Sequence, residues 1–159
     1  MMRAYGLALI PPPGWDVRIT RRPNGPHGDR ARPVLHASTR PLPEDRGDYG
    51  GGAVELLGAN DVFVSLVEFG AESVGTALFA RQGLPRPLPV GSFSPTRLER
   101  TLPNQSGLQI FFSDNQRAFC LYVVLGNHSR RAQLVPRADQ LADSLAISSE
   151  SADTAGVPR

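Results

Sequence analysis

The residues able to attack a substrate or move a proton near neutral pH are few: one cysteine, Cys120, and three histidines, His27, His36 and His128. A thiolate becomes a nucleophile only beside a base or a positive field. The one catalytic constellation open to the chain is therefore Cys120 with His36 and His128, drawn together from distant segments. The surroundings of Cys120 argue for another role. In FCLYVVL it stands amid large apolar groups, where a free cysteine behaves as a small buried hydrophobe. The histidines form no HxH or HxxxH pair, so a metal site is not expected. There is no GxSxG elbow, and the glycines of YGGG precede neither a helix start nor a lysine, which excludes the usual phosphate cradles. No cofactor is expected.

Charge gives a second set of candidates. All 17 basic residues are arginine, against 15 acids, for a net charge of +2. Arg21, Arg22, Arg30, Arg32, Arg40 and Arg46 gather around the first strands and their loops, with Asp16, Asp29, Glu44, Asp45 and Asp48 among them. If the loops project from one end of a sheet, these arginines form a mixed-charge rim suited to a protein partner; the plainer alternative is a solvated face. Arginine-mediated nucleic-acid binding is the further alternative. It calls for a one-signed patch, and no arginine run here exceeds two residues. Arg46-Gly47-Asp48 spells an adhesion tripeptide that a cytoplasmic chain would not present.

The frame for these residues is one domain. At 159 residues, with 40% hydrophobic and 20% charged side chains, the chain has the composition of a folded protein that buries about 68–70% of its unfolded surface. A single cysteine excludes an internal disulfide. The N-terminal segment lacks a signal-peptide cleavage pattern, and no apolar run reaches membrane-spanning length. A soluble, cytoplasmic protein is expected.

Residues 5–10 read as a short strand before a corner at Pro11, Pro12 and Pro13, which lack the spacing of a PxxP ligand. WDVRIT then alternates Trp15, Val17 and Ile19 with polar residues, a half-buried strand. Residues 21–33 form a loop, PVLHASTR a short strand, and 41–52 a second loop broken by glycines. Residues 53–57 and 61–69 read as a strand pair around GAND. VFVSLVEF, apolar on both faces, belongs in the centre of the sheet. Val74, Leu78 and Phe79 have helical spacing within 70–82, against Gly70 and Gly75. Residues 84–95 are irregular, with Pro85, Pro87 and Pro89 alternating, and 97–102 suit a strand or one helical turn. Two apolar runs, 108–112 and 118–125, flank Ser113, Asp114 and Asn115 as a β-hairpin. Pro136 suits a first helical position, and Leu134, Ala138, Leu141, Ala142 and Leu145 share one helical face. The polar tail 148–159 is expected to be disordered.

Taken together, residues 5–147 predict a single α+β domain, a mainly antiparallel sheet with a C-terminal amphipathic helix packed on it. The P-x-G-W entry (Pro12, Gly14, Trp15), a late apolar hairpin ending at Gly126 and the closing L-x-x-S-L (Leu141, Ser144, Leu145) resemble the PsbP-like α/β/α sandwich domains over about residues 7–147. That family includes an extrinsic photosystem subunit and a range of small bacterial proteins. The resemblance implies a non-enzymatic binding or assembly factor; it carries over no functional residue. Contacts with a protein partner through loops and sheet edges are thus the expected function, with self-association also open. A small enzyme built on His36, Cys120 and His128 is the alternative.

Overall fold

The computed structural model describes residues 1–21 and 32–149. The expected loop 21–33, with Arg22, His27 and Arg30, lies almost wholly outside the described residues, as does the tail from residue 150 onward. The chain opens with a hairpin of β1 (Met2–Ala4) and β2 (Leu7–Leu9), turned by Tyr5 and Gly6 at positive φ. The proline run then makes a corner: Trp15 N–H donates to Pro12 C=O at 3.3 Å, with Gly14 at φ +86°. From it emerge β3 (Asp16–Arg21) and β4 (Pro33–Ser38), followed by β5 (Val62–Phe69), β6 (Ser106–Asp114) and β7 (Arg117–Leu125). Helix α1 (Arg131–Asp143) and β8 (Ala146–Ile147) close the described chain.

β3 to β7 form one antiparallel sheet in the order β3-β4-β5-β7-β6, while β1, β2 and β8 form a second, small antiparallel sheet. The architecture is a small single-domain α+β fold. Because side chains alternate along a strand, register decides what each face holds. Ile19, Leu35, Leu66, Leu121 and Ile110 align as a row across all five strands on one face. Over that face lie Leu134, Val135, Ala138 and Leu141 of α1, with Leu7 and Leu9 of the small sheet. The fit between helix and sheet is close, leaving a void of about 10 Å³, the volume of about one water-sized probe. The opposite face carries Phe63, Tyr122 and Val124, packed under Leu42, Ala53 and Val54. β5 and β7 are thus covered on both sides, as the run VFVSLVEF requires.

Several expectations are corrected. Residues 53–57 do not pair with β5. Val54–Leu56 instead forms a 3-10 turn lying on the sheet face, because both edges of β5 are already taken by β4 and β7. The helix expected over 70–82 is two 3-10 turns, Ala71–Ser73 and Ala77–Phe79, separated by Gly75 at φ +86°. Phe79 is buried and Leu78 stays exposed. Residues 97–102 adopt neither strand nor helix.

The β6–β7 hairpin is longer than its apolar runs. Ser113 and Asp114 belong to β6, and Asn115 with Gln116, both at positive φ, make a two-residue turn that matches strand twist. Pro136 is the sixth residue of α1, not the first. The helix starts earlier because the turn His128–Arg130, held by Asn127 Oδ1 accepting from Ser129 N–H, runs straight into it. The carbonyl that Pro136 leaves unpaired belongs to Ala132, which is exposed and open to water. Leu145 lies past the end of α1, half-buried against the core. Leu141→Ala is expected to cost about 2–5 kcal/mol in urea denaturation, and Leu145→Ala distinctly less. An equal or larger loss at Leu145 would contradict this packing.

Candidate functional site

Alternation gathers polar residues of the central strands on the face opposite α1. His36, Ser65, Tyr122 and Gln109 form a row across β4, β5, β7 and β6, the first three of them buried. The loop that follows β4 supplies their partners. The Asp48 carbonyl accepts from His36 Nε2 at 2.9 Å and from Ser65 Oγ, while Arg46 Nε donates to His36 Nδ1 at 2.9 Å. An arginine has no acceptor, so the imidazole is the neutral tautomer with its proton on Nε2. Burial holds the His36 pKa below its ordinary value; the Asp48 carbonyl works against this shift and the Arg46 charge adds to it. Gly50, at φ +86°, lets the loop lie flat on the sheet, since a Cβ there would land on the Phe63 ring. The Tyr122 hydroxyl accepts from Glu99 N–H at 2.8 Å.

Cys120 shares this face but sits on β7 opposite Val67 and Phe111. Two strands and two residue steps separate it from His36, roughly 12 Å between Cα atoms. The thiol is fully buried and its pKa is pushed up to about 12, first by burial and then by the charge of Glu99. His128 lies off the far end of the sheet, with Nδ1 at 2.8 Å from Ser106 Oγ. The structure therefore does not bring Cys120, His36 and His128 together. Among the described residues no group of three or more His, Cys, Asp or Glu side chains is placed to hold a metal ion. No helix of the described residues is long and apolar enough to cross a membrane.

The candidate arginines are dispersed. Arg22 and Arg30 lie outside the described residues. Arg21 places its guanidinium 4.3 Å from the Tyr5 ring centre, and Arg32, just before β4, approaches Glu68 at 4.0 Å, at the same end of the sheet. Arg40 lies past the opposite end of β4, paired with Asp61 at 3.1 Å. Burial pushes the Asp61 pKa up, but hydrogen bonds from Gly58 N–H, Thr39 and Arg40 overcome this and hold it below the ordinary value. Arg46 turns inward to His36 and to the Pro43 carbonyl, which also takes the adhesion-like tripeptide out of display.

An open cleft of about 520 Å³ runs along the outer edge of β6. At one end Ser113 N–H donates to Arg81 C=O and Gly83 N–H to Ser113 C=O, both at 2.8 Å. At the other, Gly107 and Ser94 exchange two bonds of 2.9 and 3.0 Å. Between these clamps the intervening chain bows away, burying Leu88 and Phe93 in the core and turning Pro85, Pro87 and Pro89 to the cleft. Since outward backbone positions alternate along an edge strand, Gln109 and Phe111 direct their N–H and C=O groups into the cleft. No backbone partner meets them there among the described residues. Leu78, Arg81, Ser92 and Arg97 complete the walls.

No family model, curated protein or solved structure matches the chain. The site consequently rests on its own geometry. Sequence reading missed Arg81 and Arg97 because they stand alone in an irregular stretch. The alternating prolines between them were visible, and their meaning depends on β6 being an edge.

Two outcomes follow from the buried face. The unfolded chain binds a proton at His36 more readily than the folded one, so stability contributed here is present above pH ~6.5 and lost as pH falls below it. Thermal melts between pH 7.5 and 5 should show this decline, and His36→Gln, which cannot take up a proton, should flatten it; an unchanged slope would place the acid sensitivity elsewhere. Cys120 should react with a thiol reagent under native conditions far more slowly than after denaturation. Fast native labelling at pH 7 would mean that the sulfur is reachable.

Proposed function

We propose that the protein is a binding module that takes an extended segment of a partner protein as an added strand on the outer edge of β6. The carrying observation is the pair of unpartnered backbone positions, Gln109 and Phe111, facing a cleft between two fixed clamps. Strand addition draws its affinity from such main-chain groups and its selectivity from pockets for alternate side chains. A cleft of this volume with mixed walls suits a short peptide segment. The resemblance to PsbP-like domains, with their binding and assembly roles, supports the same reading at the level of fold, which by itself is a poor guide to function. The arginines Arg21, Arg32 and Arg40 lie outside this cleft and have no part in the proposal.

The first expected outcome needs no partner. In amide hydrogen exchange, Gln109 and Phe111 should exchange fast, whereas Leu108, Ile110 and Phe112, whose N–H groups face β7, should be protected. Heptapeptides selected from a displayed random library should then bind wild type and Gln109→Ala alike but fail on Gln109→Pro. Proline at 109 removes only the outward donor and spares the ladder to β7. Equal binding to Gln109→Pro would overturn the proposal.

A further inference from the structure

Almost every arginine among the described residues is engaged. Arg18, Arg40, Arg86, Arg100 and Arg117 face carboxylates, and Arg32 approaches one. Arg130 and Arg137 hold Asn60, Arg131 the His128 carbonyl, Arg46 the His36 ring and Arg21 the face of Tyr5, while even Arg3 reaches the Met1 sulfur. Two are left, Arg81 and Arg97. Both are exposed, neither has a side-chain hydrogen bond or ion pair among the described residues, and both line the β6 cleft. Among the described residues they are the only charged ones lining its walls, and the nearby Glu99 carboxylate is taken up by the Gln109 side-chain amide, which donates to it at 2.6 Å.

Their positions are fixed by the clamps. The Arg81 carbonyl is hydrogen-bonded to Ser113 N–H, and the Arg97 carbonyl packs against Gly107 so closely that a Cβ there would lie 2.5 Å from it. Gly107 and Ser113 are six strand positions apart, roughly 20 Å. One positive charge thus stands at each end of an open stretch of strand edge, with Pro85, Pro87, Pro89 and Leu78 as apolar wall between them.

We infer that the segment accepted by this edge is acidic, with an apolar, β-forming core of about three to five residues bounded by Asp or Glu at both ends. This rests on the strand-addition reading above and deepens it by naming the partner's chemistry. The open N–H and C=O groups of Gln109 and Phe111 pair with the peptide backbone, the prolines receive its apolar side chains, and each terminal carboxylate meets one arginine. A guanidinium presents a planar fork that suits a carboxylate in two-point contact. Unpaired cations at a cleft also speed and orient the arrival of an oppositely charged partner, an effect that salt suppresses.

The test uses the full chain and capped heptapeptides in which Val and Thr alternate between two end residues, these being Glu in one peptide, Gln in a second and Lys in a third. In 50 mM salt the Glu peptide should bind at least tenfold more tightly than the Gln peptide, and the Lys peptide more weakly still. The advantage should vanish in 500 mM salt. It should also vanish in Arg81→Gln/Arg97→Gln, with affinity for the Gln peptide unchanged; both positions are exposed, so the double variant keeps its fold. Equal affinity for all three peptides, with slowed exchange at Gln109 and Phe111, would overturn the acidic preference and leave strand addition standing. No binding and no slowed exchange with any of them would take down both. An oligothymidylate of ten nucleotides matching the Glu peptide would overturn the inference in favour of nucleic acid. Protection of the same amides by self-association, without peptide, would show the occupant to be a second copy.

Discussion

The guanidinium of Arg117 is buried with 2% of its side chain exposed, against a Glu68 carboxylate exposed by 3%. It makes two bonds to that carboxylate, at 3.0 and 2.7 Å, one to the Tyr5 carbonyl at 3.0 Å and one to the Ser148 carbonyl at 2.9 Å. Four donated bonds from a group with five donors leave little unsatisfied. Burying two charges is costly unless geometry and further hydrogen bonds compensate, and stripping away one partner costs about 3–5 kcal/mol. The consequence is architectural. Tyr5 turns the first hairpin and Ser148 follows the last strand, so one side chain on β7 fastens both ends of the described chain to β5. The small sheet of β1, β2 and β8 is thereby held at the core, where Leu7 and Leu9 pack.

With the ends fixed, the remaining demand comes from β5 and β7. Both are buried on both faces, so each face needs a cover. Helix α1 supplies an apolar one, and its side of the sheet is aliphatic and aromatic apart from the Glu68–Arg117 pair beside the small sheet and Ser106 at the other end. The other cover is a loop, and a loop brings unpaired backbone groups with it. The polar row beneath answers that need: His36 and Ser65 donate to the Asp48 carbonyl, Gln105 Nε2 donates to the Val54 carbonyl, and the Tyr122 hydroxyl accepts the Glu99 N–H. Histidine and serine within central strands are therefore the sheet's half of a contract with its covering loop. That role explains why His36 is far from Cys120 and tied on both ring nitrogens.

What could be read from sequence was whatever repeats over short distances. The doubly apolar β5, the β6–β7 hairpin and the apolar stripe of α1 all announce themselves through periodicity and all are present, although α1 begins before Pro136 and ends before Leu145, and β6 runs on through Ser113 and Asp114. The pairing of Glu68 with Arg117 does not, since 49 residues separate them and neither has a local pattern. The 3-10 turn over Val54–Leu56 was misread as a strand because its composition suits one; the deciding factor was that β5 had no free edge. Of the candidate arginines, the four described ones, Arg21, Arg32, Arg40 and Arg46, do not form one rim, for a related reason. Their density along the chain was plain, but whether an arginine is idle depends on which carboxylate folds beside it, a property of tertiary structure. Arg40 finds Asp61 and Arg32 nears Glu68, while Arg81 and Arg97, unremarked in the sequence, find no side-chain partner among the described residues.

An exposed strand edge is a hazard that proteins ordinarily remove with charge, proline, bulges or a covering segment. Here a covering segment is present and is built so as not to finish the task. Residues 85, 87 and 89, the alternate positions turned toward β6, are all proline, and proline has no N–H to offer. At these three positions the segment therefore has no N–H to offer the carbonyls of Gln109 and Phe111. Arg81, Gly83 and Ser94, which can form backbone bonds, close the edge at its two ends and stop it from growing. The result is an edge too short and too well bounded to template open-ended aggregation, yet with its central hydrogen-bonding groups kept available. Those features are reconciled if the edge is reserved for a short extended segment that enters between the clamps.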